Sequence, residues 1–206
     1  MTETPTYNFQ YDESVAEFAV SKSAYLRTHP NAAFKLVATA ALVLDTSLPT
    51  PRILLLQRAA NDSHPGKWEP PGGAVDDEDL TILHAAAREL WEEASLQASH
   101  ISGPVGGPHF FPRSNGDQIC RFSFAVHVLT NDGAALSAKL DPNEHQSYVW
   151  ATEEEVRAGR AGAVDLEFVK EEVKRTVLLA FIQAHDDSAQ FVSRTRWTGC
   201  TRRHVL

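Results

Sequence analysis

Cysteine is nearly absent from this chain: Cys120 and Cys200 are the only two among 206 residues. Thiols so far apart match no zinc-ligand spacing and no disulfide framework, and a reducing, cytoplasmic compartment is the default expectation. Long apolar runs are missing too. The longest, Leu36 to Leu44, contains a threonine and falls well short of the roughly 20 residues of a membrane-spanning helix, so no membrane association is expected. Met1 to Gln10 is polar, without a basic stretch leading into an apolar one, so no secretory signal is expected. Basic residues are in deficit, with 19 Lys and Arg against 27 Asp and Glu and a formal net charge of -8. An acidic surface repels a phosphodiester backbone, which argues against duplex nucleic acid as a partner. A small anionic substrate is still admissible where a metal cation screens the site.

What is present suits a soluble domain. The chain is 43% hydrophobic and 22% charged, and its length allows a sizeable core. Residues 12–29 carry Val15, Phe18, Ala19, Tyr25 and Leu26 at helical spacing, with Asp12 or Ser14 as cap, and predict a helix ended by His29-Pro30-Asn31. Lys35 to Leu44 reads as a buried strand, and Arg52 to Arg58 as its hairpin partner across the turn Asp45 to Pro49. A loop rich in Pro and Gly, Ala59 to Gly73, leads to a helix from about Thr81 to Ala94, for which Asp79 is the expected cap. Residues 109–111 and 119–129 read as strands around a turn at 113–117. A short strand at 147–150 and a short helix at 152–159 with an acidic first turn follow, and then a longer helix over 166–184. The organisation expected is a helical extension over 1–34, a main domain over 35–185, and a polar, weakly docked tail over 186–206. This order of strands and helices implies an α+β fold or an α/β/α sandwich.

The stretch 68–96, WEPPGGAVDDEDLTILHAAARELWEEASL, carries the chemistry. Leu83, Ala86, Ala87, Leu90 and Ala94 fall on one helix face and should meet the core. Glu89, Glu92 and Glu93, at i, i+3 and i+4, put three carboxylates on a neighbouring face. Like charges at that spacing repel by a few tenths of a kcal/mol per pair. A divalent cation reverses the sign, and oxygen donors suit Mg²⁺ or Mn²⁺. A run of glutamates on a helix is more often a plain solvated surface. The preceding glycine-rich loop shifts the balance, because Gly72 and Gly73 let the backbone turn sharply and present a carbonyl to a metal.

These residues resemble the Nudix box, a glycine followed by a glutamate and then Arg-Glu-apolar-x-Glu-Glu-x-Gly-apolar. Gly73, Arg88, Glu89, Leu90, Glu92, Glu93 and Leu96 match, and GKWEPPGG at 66–73 is similar to the segment that precedes the box. The resemblance covers roughly 35–155. Two departures stand out. Gly73 to Arg88 is one residue longer than the family spacing, so the early acidic position falls on Asp79 counting forward or Leu80 counting back, with Asp79 or Glu78 as the substitute or a bulge in the loop. Ser95 occupies the final glycine, a position normally left-handed.

The resemblance implies a Nudix-like α/β/α sandwich with a mixed β-sheet, and a hydrolase that cleaves a diphosphate linkage in a small molecule with Mg²⁺ or Mn²⁺. By the same resemblance Glu92 and Glu93 are metal ligands, Glu89 is a third ligand or the base that orients water, and the Gly72 carbonyl completes the shell. Arg88 orients the carboxylates, and Glu144 is the candidate for a further acid on a late loop, with a solvated loop glutamate as the alternative. Arg58 is a candidate phosphate contact or a surface arginine, and His64 a site histidine or a turn residue. Phe110 or Phe111 is a candidate to stack on a base or pack a prenyl chain, while Trp68 and Trp150 read as core. The partners expected are a small-molecule diphosphate substrate and, as an assembly, a homodimer. The competing reading is a non-catalytic Nudix-like module that binds a nucleotide or diphosphate ligand.

Overall fold

The computed structural model describes residues 7–113, 116–129 and 136–198, with side chains described through residue 185. Strand β1 (Gln10–Tyr11) leads through a 3₁₀ turn (Glu13–Phe18) into helix α1 (Lys22–Thr28). Then come β2 (Leu36–Leu42), β3 (Leu44–Asp45), β4 (Arg52–Arg58), β5 (Trp68–Glu69) and the central helix α2 (Ile82–Ala94). The second half runs β6 (Ala98–Ser102), β7 (His109–Pro112), β8 (Gln118–Val128), β9 (His145–Thr152), α3 (Glu153–Ala158), β10 (Arg160–Ala161), β11 (Val164–Asp165) and α4 (Glu171–Thr198).

Two sheets form the middle of the molecule. The first is mixed, in the order β1-β6-β8-β2 with β7 also on β8; β2 runs parallel to β8 and β1 parallel to β6. The second is antiparallel, β3-β4-β5 with β9 on β4. The expected hairpin of residues 35–44 with 52–58 is therefore corrected. β2 joins β8, and only the two-residue β3 pairs back onto β4. β2 is buried from Val37 onward on both faces, as a parallel strand covered on each side should be.

β4 shows how the layers arise. Successive side chains of a strand point to opposite faces, and here both faces are apolar. Leu54 and Leu56 join the cluster that contains Leu83, Ala86, Ala87 and Leu90 of α2. Ile53 and Leu55 join the other, with Trp68, Val156, Val177 and Phe181. Helices α2 and α4 thus lie on opposite sides of the sheet layer, and the fold is an α+β sandwich with mixed pairing.

Four local expectations change. The helix expected over 12–29 is interrupted at residues 19–21, and α1 starts afresh from Ser21, whose hydroxyl accepts from Ala24 N at 3.3 Å. Its apolar residues are nonetheless inside: Val15, Phe18 and Tyr25 belong to the α2 cluster, and Phe18 packs against Phe122 and Phe124. The cap of α2 is Thr81, whose hydroxyl accepts from His84 N at 3.1 Å; Asp79 is used elsewhere. The last helix begins at Glu171 rather than 166, and it continues to Thr198, into the stretch expected as a weakly docked tail. Residues 199–206, including Cys200, lie outside the described residues.

Candidate metal centre

The segment between β5 and α2 is pinned to β2 by its backbone. Ala41 N donates to Pro71 O at 2.8 Å, Thr39 N to Gly73 O at 2.8 Å, and Val75 N to Val37 O at 2.9 Å. That contact explains the paired glycines. A Cβ on Gly72 would lie 2.2 Å from Thr39 O, and one on Gly73 would lie 2.6 Å from the Glu89 carboxyl carbon. The first glycine admits the neighbouring strand and the second admits the carboxylate. Gly72 N also donates to Glu93 Oε2 at 2.7 Å, which joins the loop to the helix.

Arg88 organises the acids. Its guanidinium donates to Asp79 through Nε and Nη2, both at 3.0 Å, to Glu89 Oε1 and Glu92 Oε2 through Nη1, both at 2.9 Å, and to Ala74 O at 2.9 Å. Burial disfavours its charge, yet the bonds to Asp79 and the charges of Glu89 and Asp79 outweigh that and raise its pKa. Asp79 is thus the acid of this segment that Arg88 grips. Leu80, 74% exposed, is the residue that the extra length pushes out into solvent. Ser95 adopts the left-handed conformation that its position demands, with φ 53°, and its hydroxyl donates to Lys139 O.

The carboxylates of α2 separate into two environments. Glu93 is buried, and Glu89 nearly so, whereas the Glu92 side chain is 53% exposed and turned onto Arg88. Burial pushes Glu89 up to about 7 against the pull of Arg88, with Glu92 and Glu144 adding to the rise. Glu93 is raised well above the ordinary carboxylate range. Burial is the main cause, the Gly72 N–H opposes it, and the charges of Glu89, Glu69 and Glu144 reinforce it.

Opposite α2, the start of β9 closes the site. Ala59 N donates to Glu144 O at 2.8 Å, and His145 pairs with Arg58 beside a register shift in β4. This places Glu144 and His145 against Glu93, with one potential ligand atom from each lying within 4.8 Å of the others. Arg58 is tied to Asp62 by Nε at 2.8 Å and forms close ion pairs with Asp62 and Glu69. His145 is 3% exposed and its Nδ1 is buried without a hydrogen-bond partner among the described residues. Burial, assisted by the charge of Arg58, lowers its pKa to about 4. Asp62 is lowered to about 2: burial acts against that direction, and the hydrogen bonds from Arg58 and Ser63 overcome it.

A cavity of about 440 Å³ lies between these groups. Gly72, Gly73, Glu89 and Glu93 form one wall, and Arg58, Asp62, Glu144 and His145 the other. The structure thus brings together Gly72, Glu89, Glu93, Glu144 and Arg58 of the sequence candidates. Glu92 and Phe110 are not in this lining; Phe110 is exposed, with its ring 5.8 Å from that of Phe34. His64 is exposed beside Ser63, and Trp68 is core, with Nε1 donating to Asp165 O at 3.0 Å. Sequence reasoning missed Asp62 and His145. Their only signals were an acid four residues after Arg58 and a histidine adjoining Glu144.

The donor set suits a hard divalent cation. Buried carboxylates that repel one another, with raised proton affinity, are stabilised when a cation replaces the proton.

Comparison with known proteins agrees with this geometry. A NUDIX domain model matches residues 35–171. An uncharacterised Nudix hydrolase, NudL, of Escherichia fergusonii is 43% identical over 54 residues, covering 26% of this chain and 28% of the relative. NudL of Cronobacter sakazakii is 45% identical over 58 residues, 28% of this chain and 30% of the relative. The match therefore spans under a third of these relatives' length. Among solved structures, the MutT protein of Methanosarcina mazei superposes with a TM-score of 0.53 at 22% identity, over 72% of this chain and 94% of that one. The NUDIX domain of Shewanella oneidensis NrtR, determined with ADP ribose, gives 0.56 at 16% identity, over 80% and 99%. Such likenesses speak to the fold, and the family model together with the retained box residues speaks to descent: the chain belongs to the Nudix family.

Proposed function

We propose that this protein hydrolyses a diphosphate linkage in a small molecule, using Mg²⁺ or Mn²⁺ held by Glu89, Glu93 and Glu144 with the Gly72 carbonyl. The observation that carries the reading is the convergence of Glu93 from α2 and Glu144 from the start of β9 on one polar cavity. A nucleoside diphosphate linked to a second moiety, or another organic diphosphate, is the substrate class. The ADP ribose bound by the NrtR domain supports a ligand of this kind.

A diphosphate carries several negative charges, which repel an incoming nucleophile. A bound divalent cation supplies neutralisation of the phosphoryl oxygens and lowers the pKa of water. The protein does the rest. Glu93 is fixed by the Gly72 N–H and by the packing of α2, so its carboxylate is already aimed. Glu89 lines the same wall beside Gly73 and is steadied by Arg88, placed to hold the cation or to orient water. Arg88, occupied by four acceptor residues, orients carboxylates and does not reach for substrate. Glu92 lies outside the cavity lining and would have to turn toward it to join the ligands. Arg58 faces the cavity from the opposite wall, where a phosphate of the substrate would meet it.

A panel of nucleotide sugars, dinucleoside polyphosphates, coenzymes and prenyl diphosphates, assayed with Mg²⁺ or Mn²⁺ and again with excess EDTA, tests this. Metal-dependent release of a phosphomonoester from one class is the expected result. Undiminished turnover in EDTA overturns the metal assignment. Saturable ligand binding without cleavage across the panel favours the non-catalytic module.

A further inference from the structure

His145 is not among the residues that the box supplies, yet it is placed as a ligand would be. The residue is 3% exposed and lines the cavity alongside Glu93 and Glu144. Nδ1 is buried and has no hydrogen-bond partner among the described residues. A buried imidazole nitrogen left this way is either an N–H without an acceptor or a lone pair without a donor, and both are unfavourable. A potential donor atom of this ring lies within 4.8 Å of carboxylate oxygens from Glu93 and Glu144, close enough for one cation to bridge all three.

We infer that the His145 imidazole is a nitrogen ligand of the cation held by Glu93 and Glu144, and that it biases the centre toward Co²⁺ over Mg²⁺. Mg²⁺ takes oxygen ligands and gives up its waters reluctantly, whereas an imidazole suits the later divalent ions of the first transition row. The inference rests on the proposed metal-dependent function but goes beyond the carboxylate set. The backbone supports it: pairing of His145 with Arg58 at the β4 register shift fixes the ring's anchor on a strand rather than on a free loop, and strand-held ligands are positioned more tightly.

The test uses the full, untagged chain loaded with Mn²⁺, prepared with natural-abundance or ¹⁵N-labelled histidine. Electron spin-echo modulation of the bound ion should show ¹⁴N frequencies of a directly bound imidazole. These should shift to the ¹⁵N pattern on labelling and disappear in His145→Gln. In competition titrations the same variant should lose about tenfold or more in Co²⁺ affinity, with Mg²⁺ affinity changed less than about threefold. Mn²⁺ that binds saturably, depends on Glu93 and shows no nitrogen modulation overturns the inference and leaves the carboxylate centre intact. Equal losses for Co²⁺ and Mg²⁺ overturn the selectivity. Failure of Mn²⁺ to bind, or binding unaffected by Glu93→Gln, removes the centre itself and the proposed function with it. Isotope contrast in the unaltered protein decides the ligation even if His145→Gln does not fold.

Discussion

Arg88 grips Asp79 with two parallel hydrogen bonds, Nε to Oδ1 and Nη2 to Oδ2, each 3.0 Å long. The pair ties the segment before α2 to the middle of the helix, and Asp79 also accepts from Asp76 N at 2.8 Å. Removing one member of a buried, bidentate pair leaves the other without its partner, at a typical cost of 3–5 kcal/mol. Arg88 would keep Glu89 and Glu92 as acceptors, so the low end applies. Asp79→Ala should therefore destabilise the protein by about 3 kcal/mol in urea unfolding. The exposed neighbour supplies the control: Leu80→Ala should change stability by less than about 0.5 kcal/mol. Similar values for the two variants would mean that Asp79 does not hold the loop.

The acids of α2 should not be equivalent. Glu93 is buried in the cavity wall, while Glu92 is half exposed on Arg88. Glu93→Gln keeps the shape and removes the charge, and should lower kcat by about 10²-fold or more. Glu144→Gln should follow it, since both face the same space. Glu92→Gln should be milder, and its loss should appear mainly as weaker metal affinity. The measurement is kcat against Mn²⁺ concentration for the three variants, with melting temperatures as the folding control. A Glu92→Gln protein that is inactive at saturating metal, beside an active Glu93→Gln protein, would reverse this assignment.

The parts of the site that were legible in the sequence are those set by local periodicity. A helical period puts Leu83, Ala86, Ala87, Leu90 and Ala94 on one stripe, and all are buried in one cluster. The same period puts Glu89 and Glu93 one turn apart on the neighbouring face. Ser95 shows the same locality: a position expected to be left-handed is so, at φ 53°. The failures were non-local. Nothing near Leu36–Leu42 signals that its partner is β8 rather than β4, since both are apolar and β4 lies closer in sequence. His145 and Asp62 reach the cavity through the pairing of β9 with β4 and the loop that follows β4. Glu144 is legible by resemblance alone, because spacing along the chain carries no information about a contact made across a sheet.

Stability in EDTA should depend on pH in a way that separates Glu89 from His145. Glu89 titrates near 7 in the fold, above the ordinary carboxylate value, so between the two the folded chain binds more protons than the unfolded one. Stability then falls as pH rises through that window, and Glu93 acts in the same direction. His145 opposes them. Its pKa is lowered to about 4 from 6.5, so the unfolded chain binds more protons between those values, and stability rises with pH there. Below pH 6.5 the trends offset one another; above it the carboxylates act alone. The melting temperature in EDTA should fall from pH 6.5 to about pH 8, and the fall should flatten in Glu89→Gln. Saturating Mn²⁺ should remove it, because the cation favours the charged carboxylates. Thermal scans at constant ionic strength measure this, and a melting temperature that climbs over the same range in EDTA would contradict it.

The two glycines should fail for different reasons. A Cβ at Gly72 would meet backbone, 2.2 Å from Thr39 O and 2.7 Å from Ala40 Cα. Neither atom can yield without separating the loop from β2, where Ala41 N–Pro71 O and Thr39 N–Gly73 O hold it. The bond from Gly72 N to Glu93 would be lost with them. Gly72→Ala should accordingly destabilise the protein by about 3 kcal/mol or more, as overpacking against rigid backbone does. At Gly73 the obstacle is the Glu89 carboxyl group, its three atoms 2.6–2.7 Å from the added carbon. A side-chain terminus can rotate away, so Gly73→Ala should fold with a melting temperature within a few degrees of the unaltered protein. Its cost should fall on the chemistry instead. Displacing Glu89 from the cavity wall should lower kcat by about tenfold or more. It should also bring the titration of Glu89 back toward the ordinary carboxylate range, because the displaced group is better solvated. Measured together, melting temperature and kcat should place Gly72→Ala among the unstable variants and Gly73→Ala among the stable, slow ones. A Gly73→Ala protein that is both stable and fully active would show that Glu89 does its work from a position other than the one it occupies beside Gly73.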